Sequence, residues 1–162
     1  MVRGCGSVFA VPQKPMYGYN ISASELDIPM RKKGSIIIPE GISVWPHELT
    51  TATALASAGH RVEFLPIHGH GTQGKSPDIL MDNKKWEIKS PKASSPSSIE
   101  RNIKRAYQQS TNIVFDSQRM KHLPDKNIQR ELCRLCRLNK QVSNLIFVNR
   151  KREVIDISDL LT

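Results

Sequence analysis

Acid is the scarce charge in this chain. Fifteen Asp and Glu stand against 24 Lys and Arg, a formal net charge of +9 over 162 residues, with a pI near 9.7. Such an excess points to a polyanionic partner, nucleic acid first. An anionic membrane surface fits the same charge balance. However, no apolar run approaches the ~18 residues of a spanning helix, and the amino terminus has no apolar signal core. Cysteine is rare as well. Cys5, Cys133 and Cys136 are an odd number at irregular spacing, which argues against a disulfide framework and for a reducing compartment. Cys133-x-x-Cys136 has no second half-site at zinc spacing and falls in a leucine-rich helical pattern, where both thiols read as packing groups. No internal repeat is present. The glycines at 69, 71 and 74 do not make a phosphate loop, because Lys75-Ser76 is followed by Pro77 and a strand instead of a helix. His68 and His70 in that loop read as polar loop residues, with proton donation to a leaving oxygen as the functional alternative.

What is there is enough for one core: 38% of residues are hydrophobic. Residues 1–34, dotted with Pro12, Pro15, Pro29 and Gly18, show no sustained period and are expected to form an arm or linker. Residues 35–162 are expected to form the domain. Ser35–Ile38 reads as an edge strand and Pro46–Ala58 as a helix ended by Gly59. His60–Pro66 alternates as a strand with Val62 and Phe64 on one side. A hairpin follows over 78–89, and then a helix from the hydroxyl-rich 94–98 loop to about Ser110, with Ile99, Ile103, Ala106 and Ser110 inward. The strand 112–116 completes a crossover of the length parallel pairing needs. A helix from Asp125 or Lys126 to Asn139, with Ile128, Leu132, Leu135 and Leu138 inward, leads to the strand 144–148 and a closing strand at 154–157. This order predicts an α/β domain, a mixed central sheet flanked by helices.

The hairpin carries the chemistry. Asp78 opens Ile79-Leu80-Met81, Asp82-Asn83 supplies the turn, and Trp86-Glu87-Ile88-Lys89 alternates so that Glu87 and Lys89 share one face. Two carboxylates, Asp78 and Glu87, would repel if left alone. A divalent cation between them resolves the repulsion, and hard oxygen ligands suit Mg²⁺ or Mn²⁺. Lys89 beside that centre is placed to orient a nucleophilic water or to stabilise developing charge. Glu48 falls on the apolar stripe of the first helix with Ala52 and Leu55. It serves either as a third acid for the cation or as a first-turn acid at the positive end of the helix dipole. Glu63 is a second candidate for the upstream acid. On the helix that follows, Arg101, Arg105 and Gln108 fall on one stripe able to hold a phosphate backbone, and Gln109 is placed to turn toward the acids. Arg130, Arg134, Arg137 and Gln141 form a second basic stripe, read mainly as a solvated face.

Pro77-Asp78, eight residues, then Glu87-Ile88-Lys89 resembles the signature of the PD-(D/E)xK nucleases. With Gly74-Lys75-Ser76 before it and Ser90-Pro91 after it, the motif is similar to the C-terminal tRNase domain of CdiA contact-dependent growth inhibition toxins. The resemblance covers about two thirds of the chain, Trp45 to Ile157. It implies a restriction-endonuclease-like core with a helix-borne Glu, here Glu48. It also implies a further metal ligand in the Ile88 carbonyl and substrate contacts at Lys75 and Ser76. The implied activity is metal-dependent phosphodiester hydrolysis by Asp78, Glu87, Lys89 and Glu48. The implied substrate is tRNA, with duplex DNA of a restriction or mobile-element system as the alternative. A cognate immunity protein and delivery to a target cytoplasm as part of a larger toxin follow from the same resemblance. A non-catalytic nucleic-acid-binding module is the reading from a different class.

Overall fold

The computed structural model describes residues 33–66 and 76–159. The expected arm therefore lies outside the described residues except for Lys33 and Gly34, as do His68, His70 and Lys75. Seven strands and three helices alternate: β1 (Ser35–Ile37), α1 (Pro46–Ser57), β2 (Arg61–Phe64), β3 (Ile79–Met81), β4 (Lys84–Lys89), α2 (Pro96–Ala106), β5 (Asn112–Asp116), α3 (Asp125–Leu138), β6 (Asn144–Val148) and β7 (Val154–Asp156). The strands form one sheet in sequence order. β1–β2, β4–β5 and β5–β6 pair in parallel, while β2–β3, β3–β4 and β6–β7 are antiparallel. The expected mixed α/β architecture is observed.

Local chemistry accounts for the boundaries. α1 begins with Pro46 at its first position, where the missing N–H costs nothing. It ends on Gly59 at φ +102°, with Gly59 N donating to Ala56 O and His60 N to Leu55 O, a left-handed stop that a Cβ would oppose. The β3–β4 turn holds Asp82 and Asn83 at φ +49° and +65°. Both are residue types that tolerate positive φ, and two such angles match the twist of the flanking strands. Asp82 also accepts from the Arg61 amide and pairs with His60 Nδ1 at 2.6 Å, fixing the turn to the neighbouring strand. In α2, Ser95 caps the Ser98 amide and Pro96 opens the helix.

Alternation along the strands makes two cores. Trp86, Ile88, Val114, Ile146 and Val148 pack with Val62, Phe64, Ile79, Met81 and the α1 residues Ala52, Ala54 and Leu55. Ile113, Phe115, Leu145 and Phe147 pack with Ile99, Ile103 and Ala106 of α2 and with Ile128, Leu132 and Leu135 of α3. The sheet thus lies between α1 on one face and α2 with α3 on the other.

Two expectations need correction. α2 stops at Ala106 instead of continuing to Ser110, because the Gln109 amide reaches back only to Ala106 O and the Ser110 hydroxyl donates to Lys85 O on β4. Leu138 is not inward but 70% exposed. At 100° per residue it lies about 80° off the stripe set by Ile128, Leu132 and Leu135, and it is the last residue of its helix.

Candidate active site

The acids meet where β3 begins and β4 ends. Glu87 sits on β4 with 2% of its surface exposed. Its Oε1 accepts from Lys89 Nζ and from Gln109 Nε2, while its Oε2 is buried and, among the described residues, accepts from no N–H or hydroxyl donor, leaving only a proton shared with Asp78 to bridge it. Alternation explains the first contact, since residues two apart on a strand share a face. The turn after α2 explains the second, because it returns the chain to β4 and aims Gln109 at the carboxylate. Asp78 accepts from the Ile88 amide at 2.7 Å through Oδ2, and its own amide donates to Trp86 O. It is therefore gripped by main chain on two sides.

The electrostatics follow from this crowding. Burial pushes the Glu87 carboxyl up to about 7, and the charge of Asp78 adds to the shift against the pull of Lys89. Burial also raises Asp78, opposed by the Ile88 hydrogen bond and by Lys89. Glu48 is raised by burial and then by Asp78, with Lys89 acting the other way. All three acids thus feel one another or the same lysine. Each is reluctant to ionise alone, which is the condition of a carboxylate group built to share a proton or a cation. Glu48 also accepts from the Trp45 amide at 3.3 Å and so caps its own helix. This is the reading of Glu48 as a first-turn acid, and the residue also stands within the field of Asp78. Glu63 lies apart, 3.8 Å from Arg61.

Among the described residues Ser76 makes a long 3.5 Å contact to Pro77 O. Arg101 and Arg105 are exposed on α2 and form no ion pair among the described residues. Gln108 is exposed beside them. Arg130, Arg134 and Arg137 line a concavity of about 760 Å³ along α3 that includes Glu131 but none of Asp78, Glu87 and Glu48. Among the described residues no three His, Cys, Asp or Glu side chains form a ready-made metal cage. The fit to a cation rests instead on the pair Asp78 and Glu87. Glu87 Oε2 is an orphaned, buried, hard donor, and the raised acids gain most from a neighbouring positive charge.

Sequence reasoning missed His47. It stands on α1 beside Glu48, within the fields of Asp78 and Asp116 on one side and Arg119 and Lys92 on the other. Burial and Arg119 lower its pKa, leaving the imidazole neutral at pH 7. Trp45, 63% exposed, lies against its ring at 6.5 Å between centroids. A His-Glu pair opening a helix was the only available signal, and nothing in the sequence says what it faces.

Residues 75–154, just under half the chain, match the model of the contact-dependent growth inhibition CdiA C-terminal domain. Asp78, Glu87, Lys89 and Gln109 lie inside the matched stretch, whereas His47 and Glu48 precede it. Among solved structures the chain is similar to the CdiA-CT/CdiI toxin and immunity complex from Burkholderia pseudomallei. The identity there is 15% and the TM-score 0.56, covering 75% of this chain and 98% of that one. At that identity the likeness is one of fold. Among curated proteins none matches.

Proposed function

We propose that this chain, whose residues 75–154 carry the CdiA C-terminal domain pattern, is a growth-inhibition toxin domain that hydrolyses phosphodiester bonds as a PD-(D/E)xK-type endonuclease, with tRNA as its first substrate. The observation that carries the reading is the convergence of Asp78, Glu87 and Lys89, with a buried carboxylate oxygen that no N–H or hydroxyl donor reaches among the described residues. Asp78 and Glu87, with Glu48 and the Ile88 carbonyl, are the groups that would hold Mg²⁺ or Mn²⁺. Such an ion supplies charge neutralisation at the phosphate and a more acidic water.

The chain's own residues do the rest. Gln109 and Lys89 fix the Glu87 carboxylate in one orientation. The Lys89 ammonium has two further N–H groups to direct at a phosphoryl oxygen as negative charge grows there. His47, neutral beside Asp78, is able to take a proton from water or hold one for the leaving oxygen. The net charge of +9 draws the polyanion in. The similar fold of a toxin from a complex with its immunity protein supports a cognate immunity partner here. It also supports delivery into a target cytoplasm as part of a longer toxin.

Purified protein incubated with bulk tRNA and with duplex DNA tests the proposal. Cleavage of tRNA in Mg²⁺ or Mn²⁺ is expected, lost in EDTA and reduced at least ~100-fold by Asp78→Ala or Lys89→Ala with the fold retained. Cleavage of duplex DNA alone would reassign the substrate. Intact nucleic acid under every metal condition, with salt-sensitive binding, would leave only a binding module.

A further inference from the structure

The loops that leave β4 and β5 form a cationic concavity that the acid cluster does not use. It encloses about 420 Å³ and is lined by Lys92, Gln118, Arg119, Lys121 and His122, with no carboxylate among them. We propose that it is an anion subsite for the nucleic-acid backbone, holding a phosphate that flanks the one at the acids. This rests on the nuclease reading and names how its substrate is tracked.

Topology puts the subsite beside the acids. β4 and β5 run parallel, with Lys89 opposite Phe115. Their carboxyl ends therefore emerge on one edge of the sheet about 5 Å apart, the edge where open α/β sheets bind ligands. Lys92 lies three residues beyond Lys89, and Arg119 three beyond Asp116. The loops are also held. The His122 amide donates to Ser94 Oγ at 3.3 Å, joining one loop to the other. The Met120 amide closes a turn on Ser117 O, and the Met120 side chain is fully buried. Charge completes the case. Arg134, Arg150, Arg152 and Lys104 each face an acid. Among the described residues Lys92, Arg119 and Lys121 are ion-paired to none. Three cations gathered without a counter-ion repel one another until an anion arrives.

The test is equilibrium binding of a fluorescent single-stranded RNA of about 12 nucleotides in EDTA across about 50–300 mM salt, with the probe checked for intactness on a gel. Each single-strand phosphate neutralised contributes roughly 0.7 to the log–log salt slope. The triple variant Lys92→Gln/Arg119→Gln/Lys121→Gln is expected to bind more weakly with the slope smaller by about 0.7 or more. The double variant Arg130→Gln/Arg137→Gln on α3 should keep the wild-type slope. A thermal melt verifies each fold, and the single variants Lys92→Gln and Arg119→Gln read the same slope if the triple does not fold. An unchanged slope in the loop variants, or an equal loss in the α3 control, overturns the subsite while leaving cleavage by the wild type standing. A wild type that neither binds nor cuts nucleic acid overturns both.

Discussion

Glu87 shows how a single side chain records the tension in this site. It is held against Lys89 and Gln109, yet burial and Asp78 leave its pKa near 7, against 4.5 for an ordinary glutamate. A carboxyl raised in this direction binds more protons folded than unfolded between those two values. Its contribution to stability is therefore complete below about pH 4.5 and is lost as pH rises through 7, on the order of 3 kcal/mol. Asp78 and Glu48 shift the same way. His47, lowered from 6.5, acts in the opposite sense, and so do the ion-paired Glu100 and Glu131. The informative quantity is thus the difference between variants. In EDTA, Glu87→Gln, which keeps the size of the side chain without its charge, should equal the wild type near pH 5 and be more stable than it near pH 8. Chemical denaturation in a pH series measures this. A wild type more stable than the variant at pH 8 would mean that the ion pair with Lys89 outweighs burial.

At the scale of elements, the question is what holds α1 so that His47 and Glu48 face Asp78. One helical turn beyond them, Thr51 Oγ1 donates at 2.6 Å to Asp116 Oδ2 at the end of β5. Asp116 is fully buried and pairs with Arg152 Nη1 at 2.9 Å, while Arg152 Nη2 donates at 2.8 Å to Thr50 O. The turn between β6 and β7 thereby clamps α1 to the sheet. Arg152→Met would leave a buried carboxylate with hydroxyl and amide donors only, and a partner lost in this way costs about 3 kcal/mol. A melt should show that loss. Cleavage should fall as well at temperatures where the variant is still folded, because the helix carrying His47 and Glu48 loses its anchor. Full activity in a folded, destabilised variant would make the clamp purely structural. This clamp marks the limit of what the sequence discloses. The hairpin turn at Asp82-Asn83, the stop at Gly59 and the β4–α2–β5 crossover are local signals, written in turn residues and periodicity, and all are legible. Contacts between Thr51, Asp116 and Arg152 join segments far apart in the chain. Nothing local distinguishes such residues from surface polar ones. Leu138 was misplaced for the converse reason: a leucine near a helix end continues a pattern in the sequence that the helix geometry has already rotated away.

For the whole molecule, the excess of base and the buried acids pull in opposite directions. The net charge of +9 favours a polyanionic partner, whereas Asp78 and Glu87 are crowded carboxyls that, among the described residues, have Lys89 as their one ion-pair partner. Lys89 and Gln109 occupy one oxygen of Glu87, and among the described residues no N–H or hydroxyl donor reaches the other. A ligand that binds only the folded chain adds RT ln(1 + [L]/Kd), about 2 kcal/mol at fifty times its Kd, which for a domain of this size is several degrees of Tm. About 5 mM Mg²⁺ or Mn²⁺ at pH 7.5 should therefore raise the Tm of the wild type by several degrees. The variant Asp78→Asn/Glu87→Gln, which keeps the shapes but removes both charges, should show no rise. Because the readout is a melting temperature, the result does not depend on choosing the correct RNA. An equal rise in both proteins would place the ion elsewhere. No rise in either would remove the cation from the proposed chemistry and leave Lys89, His47 and the acids to act by proton transfer alone.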